Sequence, residues 1–290
     1  MPEARYRTED GITLAGDVAG PPDAPCVVLM HGGGQTRSSW SRACGELVEA
    51  GYRVVNFDAR GHGDSDWAGP GGYDIARSVS DLRCVTAGLG VRYALVGASL
   101  GGATALGALA GGMRPGAVVL VDIVPNPDPA GVARIRAFMQ GSPQGYASLD
   151  DVADAIAAYN PHRPRPRDTS GLLRNLRRNA AGRYVWHWDP AFLGREVDEE
   201  LRELAATIEG ARRAGDVPTL LIRGMSSDVV DARGVAILRE VLPGMEVFDV
   251  EGAGHMVAGD RNDAFNAGMV DFLARRFPVN VSIRGKAGRG

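Results

Sequence analysis

A serine between two glycines, Gly97-Ala98-Ser99-Leu100-Gly101, fits the G-x-S-x-G pattern of a nucleophile elbow. The run Tyr93–Ala98 ahead of it reads as a strand, and Leu100 to Leu109 behind it as a small-residue helix. Such a turn lifts a hydroxyl clear of a sheet, and small residues two places either side keep it from striking nearby backbone. Forty glycines in 290 residues make the pattern alone easy to meet, so the flanking elements carry the weight. A serine hydroxyl also needs a base to take its proton. Of five histidines, His255 in Glu251-Gly-Ala-Gly-His255 follows the last strand and is the expected base. An acid must hold that imidazole in its tautomer. Asp228, in Gly224-Met-Ser-Ser-Asp228 after the strand Thr219–Arg223, is the preferred acid, and Asp122 at the end of an earlier strand is its competitor. The oxyanion of a tetrahedral intermediate needs two N–H donors. Leu100 is expected to supply one. The loop His31-Gly-Gly-Gly-Gln35 supplies the other, from Gly33 with Gly34 as second choice.

The remaining histidines fit other work. His31 opens the glycine loop and is read as its anchor, His62 in Arg60-Gly-His-Gly63 as structural, and His162 in an Arg/Pro-rich stretch as solvated. His187 lies in Tyr184-Val-Trp-His-Trp-Asp189, where packing among aromatics competes with a place in a substrate pocket. The pocket candidates are His31, Tyr146, Trp186, His187, Trp188 and Met256, with Tyr159 and Phe192 able either to shape it or to form a core. Gly252-Ala-Gly-His-Met-Val257 breaks off before a dinucleotide fingerprint, no P-loop occurs, and no cluster has zinc spacing. Neither cofactor nor metal is therefore expected.

These residues sit on a recurring frame. Strands are expected within 4–18 (two, around Glu9-Asp10-Gly11), at 26–30, 52–57, 93–98, 117–123, 219–223 and 246–250, with helices near 40–50, 74–90, 100–109 and 263–276. Short apolar runs alternating with helices describe an α/β fold with a mostly parallel sheet covered on both faces. Ligands bind such sheets beyond the carboxyl ends of the strands, and every unusual loop of this chain follows a strand. Between 125 and 216 the alternation stops and no strand pattern appears. About ninety residues is too long for a loop, so a mostly helical insertion over the strand ends is expected, with helix-like stretches at 149–159 and 195–214. The organisation is then 1–124 and 217–290 as two parts of one core, 125–216 as the insertion, and a loose tail from about 280.

Composition narrows the class. A net charge of −3 argues against nucleic-acid binding. The N-terminus lacks the apolar stretch of a secretory signal, and no run approaches a membrane span. Three scattered cysteines suit a reduced, cytoplasmic chain. Seven arginines between 163 and 183 read as a solvated helical face, with an anion site as the alternative. The expected partner is a small-molecule substrate, and a homodimer is compatible with the composition.

In sum of these residues the chain resembles the α/β-hydrolase superfamily over nearly its whole length. The resemblance rests on His31-Gly32, on Asp58-x-Arg60-Gly61-His62-Gly63-x-Ser65, on the Ser99 elbow, on Asp228 and on His255. It implies an eight-stranded, mostly parallel sheet with a helical cap inserted after strand six. It also implies a Ser-Asp-His triad, and the broader pattern is similar to cap-bearing bacterial esterases, cofactor-free haloperoxidases, enol-lactone hydrolases and epoxide hydrolases. Departures sort these groups. Epoxide hydrolases carry aspartate where Ser99 stands, haloperoxidases typically a methionine where Leu100 stands, and carbon–carbon hydrolases often an asparagine where Ala98 stands. Hydrolysis of an ester or lactone of a small, largely apolar substrate is the expectation. Carbon–carbon hydrolysis or haloperoxidase-like chemistry on the same triad is the alternative, and a receptor role the least favoured.

Overall fold

A computed structural model describes residues 2–161, 165, 167–255 and 262–279. Among these residues ten strands are present: β1 (Glu3–Arg7), β2 (Thr13–Ala19), β3 (Cys26–Met30), β4 (Arg53–Phe57), β5 (Tyr93–Ala98), β6 (Val118–Val121), β7 (Leu176–Arg178), β8 (Tyr184–Trp186), β9 (Thr219–Gly224) and β10 (Glu246–Val250). Eight of them form one sheet in the order β1-β2-β4-β3-β5-β6-β9-β10. The first two pairings are antiparallel and the other five parallel. This is the expected α/β architecture.

Helices α1 (Ser41–Glu49), α2 (Ile75–Ala87), α3 (Leu100–Ala110), α4 (Pro129–Gln140), α5 (Leu149–Tyr159), α6 (Val197–Gly210), α7 (Ala232–Val241) and α8 (Asn262–Arg276) complete the frame. Side chains alternate across each strand, so the central strands feed two cores. Val28, Leu95, Val118 and Leu120 pack with α2, α3 and α7. Val27, Leu29, Val96 and Val119 pack on the other face with Leu47 of α1 and Phe265, Met269 and Phe272 of α8. Burial on both faces explains why these strands read as unbroken apolar runs.

The connection between β6 and β9 departs from expectation in two ways. It contains the hairpin β7–β8, extended by a bridge between Tyr146 and Tyr184, where no strand pattern is visible in the sequence. These strands are three residues long and mostly half-buried, too short to show a period. The end of α6 and the turn after it also leave the insertion: Ile208, Ala211 and Ala214 are buried in the core that α3 fills. Helices α4 and α7 were not marked out by the sequence pattern. Among the described residues no helix is long and apolar enough to cross a membrane.

Candidate active site

Ser99 sits between β5 and α3 with φ 45° and ψ −104°, one of only three non-glycine residues with positive φ among those described. Side chains rarely adopt this region, and such strain persists only where the surroundings enforce it. The surroundings are the two glycines. A Cβ on Gly97 would lie 2.2 Å from the Gly101 carbonyl oxygen, and one on Gly101 would lie 2.3 Å from that of Met30. The elbow is therefore closed by backbone packed on backbone. The Leu100 N–H opens α3, where no intrahelical acceptor exists.

His255 follows β10, and its Nδ1 lies 2.7 Å from Asp122 Oδ2. The acid on this histidine is Asp122, not the preferred Asp228. Asp122 directly follows β6 at φ 50° and is almost fully buried. Its Oδ1 accepts the Gly224 N–H at 3.1 Å, and its Oδ2 also accepts the Ser227 hydroxyl at 2.6 Å. Asp228 instead forms an ion pair with Arg134 of α4. The reason is α4 itself. Gly131 packs so tightly on the Asp228 carbonyl that a Cβ there would lie 2.2 Å from its oxygen, and Asp128 N–H bonds the Val229 carbonyl. The loop after β9 is thus held with its carboxylate toward α4. The sequence signal that favours Asp122 is its place directly at a strand end, beside the strand that carries Ser99.

The glycine loop also resolves. The Gly34 N–H is taken by His62 Nε2 at 3.0 Å, so Gly34 has no N–H left for an oxyanion. Gly33 keeps an N–H without a partner among the described residues, and a Cβ on it would lie 3.3 Å from the Phe192 ring. Three histidines fix this loop. His31 accepts the Ala59 N–H and faces the Gly32 carbonyl. His62 accepts from Gly34 and faces the Arg60 carbonyl. His187 Nδ1 accepts the Gly63 N–H at 2.8 Å, and its Nε2 faces the Gly34 carbonyl at 3.3 Å. Each ring must accept at one nitrogen and donate at the other, which only a neutral imidazole can do. Burial pushes His31 and His62 below the ordinary histidine range, and His187 down to about 4.

Ser99, Leu100, Gly33, Asp122 and His255 all face one cavity of about 720 Å³. Its walls include Ile123, Val124, Met139, Trp186, Trp188 and Phe192. Of the expected pocket residues, Trp186 and Trp188 line it. His31 and His187 do not, because both rings are spent on backbone groups behind the glycine loop. Tyr146 does not either; it packs edge-on against Trp186. Met256 lies outside the described residues, as does His162. Charged side chains in the walls are already paired: Arg136 with Glu200 and two carbonyls, Arg195 with Glu199 and Glu203, Arg60 with Asp81 and Asp10, and Arg165 with Asp150 and Asp154.

Of the arginines that read as a helical face, Arg177, Arg178 and Arg183 are likewise engaged, while Arg163 lies outside the described residues. Arg177 bonds the Gly63 carbonyl, Arg178 the Gly182 carbonyl and Tyr184 hydroxyl, and Arg183 the carbonyls of Gln144 and Gly145. These three lie on and beside the hairpin, and Arg174 lies in a short 3-10 turn ahead of it.

With the elbow, the histidine and the sheet in place, comparison with known proteins gives the family. The model of the alpha/beta hydrolase family matches residues 27–267. The chain belongs to this family. It is 30% identical over 256 residues to the esterase Rv0045c of Mycobacterium tuberculosis, covering 82% of this chain and 79% of that one. A non-heme haloperoxidase of Rhodococcus erythropolis is 26% identical over 264 residues, covering 85% and 91%. Among solved structures, that of E-2-(acetamidomethylene)succinate hydrolase superposes with a TM-score of 0.80 over 94% of this chain and 98% of the other, at 22% identity. That likeness concerns the fold alone.

Proposed function

We propose that this hydrolase cleaves an uncharged carboxylic ester or lactone with a large apolar acyl group, through an acyl-enzyme on Ser99. The observation that carries this reading is His255 bonded to a buried carboxylate while facing the same cavity as a strained serine. In the mechanism, His255 takes the Ser99 proton through Nε2 as Oγ attacks the carbonyl carbon. Asp122 holds Nδ1–H and stabilises the imidazolium. The N–H groups of Gly33 and Leu100 receive the oxyanion. The imidazolium then protonates the leaving oxygen, and water activated by His255 releases the acid.

The cavity refines the substrate. A volume near 720 Å³ suits a drug-sized ligand rather than a small one, which revises the expectation of a small substrate. Among the described residues the paired wall charges offer no free ion to a substrate carboxylate or ammonium, and burying such a charge unpaired is costly. The β6–β9 connection acts as the cap, contributing Trp186 and Trp188, while the end of α6 belongs to the core. The likeness to an esterase over four fifths of both chains agrees with ester cleavage.

The test is hydrolysis of p-nitrophenyl esters from acetate to decanoate by wild type and Ser99→Ala. Turnover that favours the longer acyl chains and disappears in the variant supports the reading. Turnover that survives Ser99→Ala sinks it. Labelling of Ser99 by a fluorophosphonate without ester turnover keeps the nucleophile and removes the ester.

A further inference from the structure

Ser227 stands beside the acid rather than the nucleophile, and its hydroxyl has a fixed orientation. Its Oγ accepts the N–H groups of Val229 and Val230 at 3.3 and 3.2 Å. A hydroxyl offers two acceptor sites and one proton. With both acceptor sites engaged, the proton is left to point along the 2.6 Å contact to Asp122 Oδ2. That oxygen is the one that meets His255 Nδ1. The other carboxylate oxygen is fixed separately by the Gly224 N–H.

Asp122 needs such support. It departs from the end of β6 in the left-handed region, which side chains adopt infrequently. The supports come from one place, the end of β9 and the loop after it. Gly224, the last residue of β9, is packed so closely under the His255 loop that a Cβ would lie 2.4 Å from the Gly254 carbonyl oxygen, and in the loop itself the Ser226 N–H donates to the Ala253 carbonyl at 2.9 Å. The loop that carries Ser227 therefore touches both the acid and the segment that bears the base.

We infer that Ser227 is a positioning residue of the catalytic acid, aiming the Asp122 carboxylate at His255. The inference rests on the Ser99–His255–Asp122 reading above. A serine that served only to hold the Val229 and Val230 amides would give the loop its shape and leave turnover alone. The two roles separate in a double-mutant cycle, because a residue that acts through Asp122 has nothing to act on once that carboxylate is gone.

The experiment measures kcat and KM on the best p-nitrophenyl ester for wild type, S227A, S227T, D122A and D122A/S227A, with thermal melts of each. Loss of one hydrogen bond to a charged group should lower kcat of S227A about tenfold with KM little changed. S227T, which keeps the hydroxyl, should recover most of it. D122A should lower kcat by roughly a thousandfold or more, and adding S227A should then cost nothing further. The inference is overturned if S227A turns over at the wild-type rate, if S227T fails to recover the loss, or if S227A costs the same factor in the D122A background. D122A at the wild-type rate overturns the triad reading and this inference with it. D122A slow beside an unaffected S227A overturns this inference alone.

Discussion

Two sets of histidines flank the cavity, and they have opposite environments. His31, His62 and His187 lie in a row, with ring centroids 5.3 Å and 5.8 Å apart, each bonded only to backbone. His255 is partly exposed, bonded to a carboxylate through one nitrogen, with no partner for the other among the described residues. The first set is wired at both nitrogens and must remain neutral to do its work. The second is wired at one nitrogen and can take and give a proton at the other. The lesson is that histidine chemistry here is decided by what the far nitrogen meets, more than by nearness to Ser99.

The largest effect expected from breaking this contrast is at Asp122. Asp122→Asn should lower kcat by roughly a thousand- to ten-thousandfold, since an amide can no longer hold the Nδ1–H tautomer. Asp228→Asn should leave kcat unchanged. Steady-state kinetics of the pair decides between the two acids, and the reverse pattern would restore Asp228.

The neutral row should show in the pH dependence of stability. Its members have folded-state pKa values below the unfolded value near 6.5. The unfolded chain therefore takes up protons first as pH falls. Stability is fully present above about 6.5 and is lost progressively toward 4, where His187 titrates in the folded state. His187 alone contributes roughly 3 kcal/mol to this loss. Asp10, held at about 2 by Arg60, adds its own loss only below the ordinary carboxylate range. Urea melts at pH 7, 6, 5 and 4 check this, and an unchanged midpoint from 7 to 4 would mean that the row is not neutral.

A smaller effect is expected at His62→Phe. It fills the same space but leaves the Gly34 N–H without its acceptor, at about 1–3 kcal/mol. Melting temperature and kcat should fall together, because the freed peptide adjoins Gly33. A drop in stability with kcat intact would separate the histidine row from the part proposed for Gly33. The smallest effect belongs to Arg134→Ala, whose partner ion pair with Asp228 is largely exposed and should contribute no more than about 1 kcal/mol. Denaturant unfolding measures it.

Much of this was legible in the sequence because the signals were local. The eight main strands, the Ser99 elbow and the His255 loop announce themselves through unbroken apolar runs and the loops that end them. Asp122 against Asp228 was not decided by local pattern. Both follow strands, and the choice depends on α4, which turns Asp228 aside, and on a positive φ at Asp122 that no residue type reveals. The hairpin was hidden for a similar reason: strands of three half-exposed residues carry no period to read. His31 was legible as the anchor of its loop, but His187 was legible as present and not as spent, since its partners are backbone groups of Gly63 and Gly34 far along the chain.

The segment Trp186–Asp189 joins these themes. Trp186 and Trp188 stack 4.9 Å apart and face the cavity, while His187 and Asp189 reach the other way, to Gly63 and Gly34 and to Tyr73 and Gly69. Mutational tolerance should follow that alternation. In a saturation library selected for new substrates, positions 186 and 188 should diversify freely, while 187 and 189 return unchanged from nearly every surviving clone. Four adjacent codons would then record, in alternation, which half of the wall is adaptable and which half is the hinge pin.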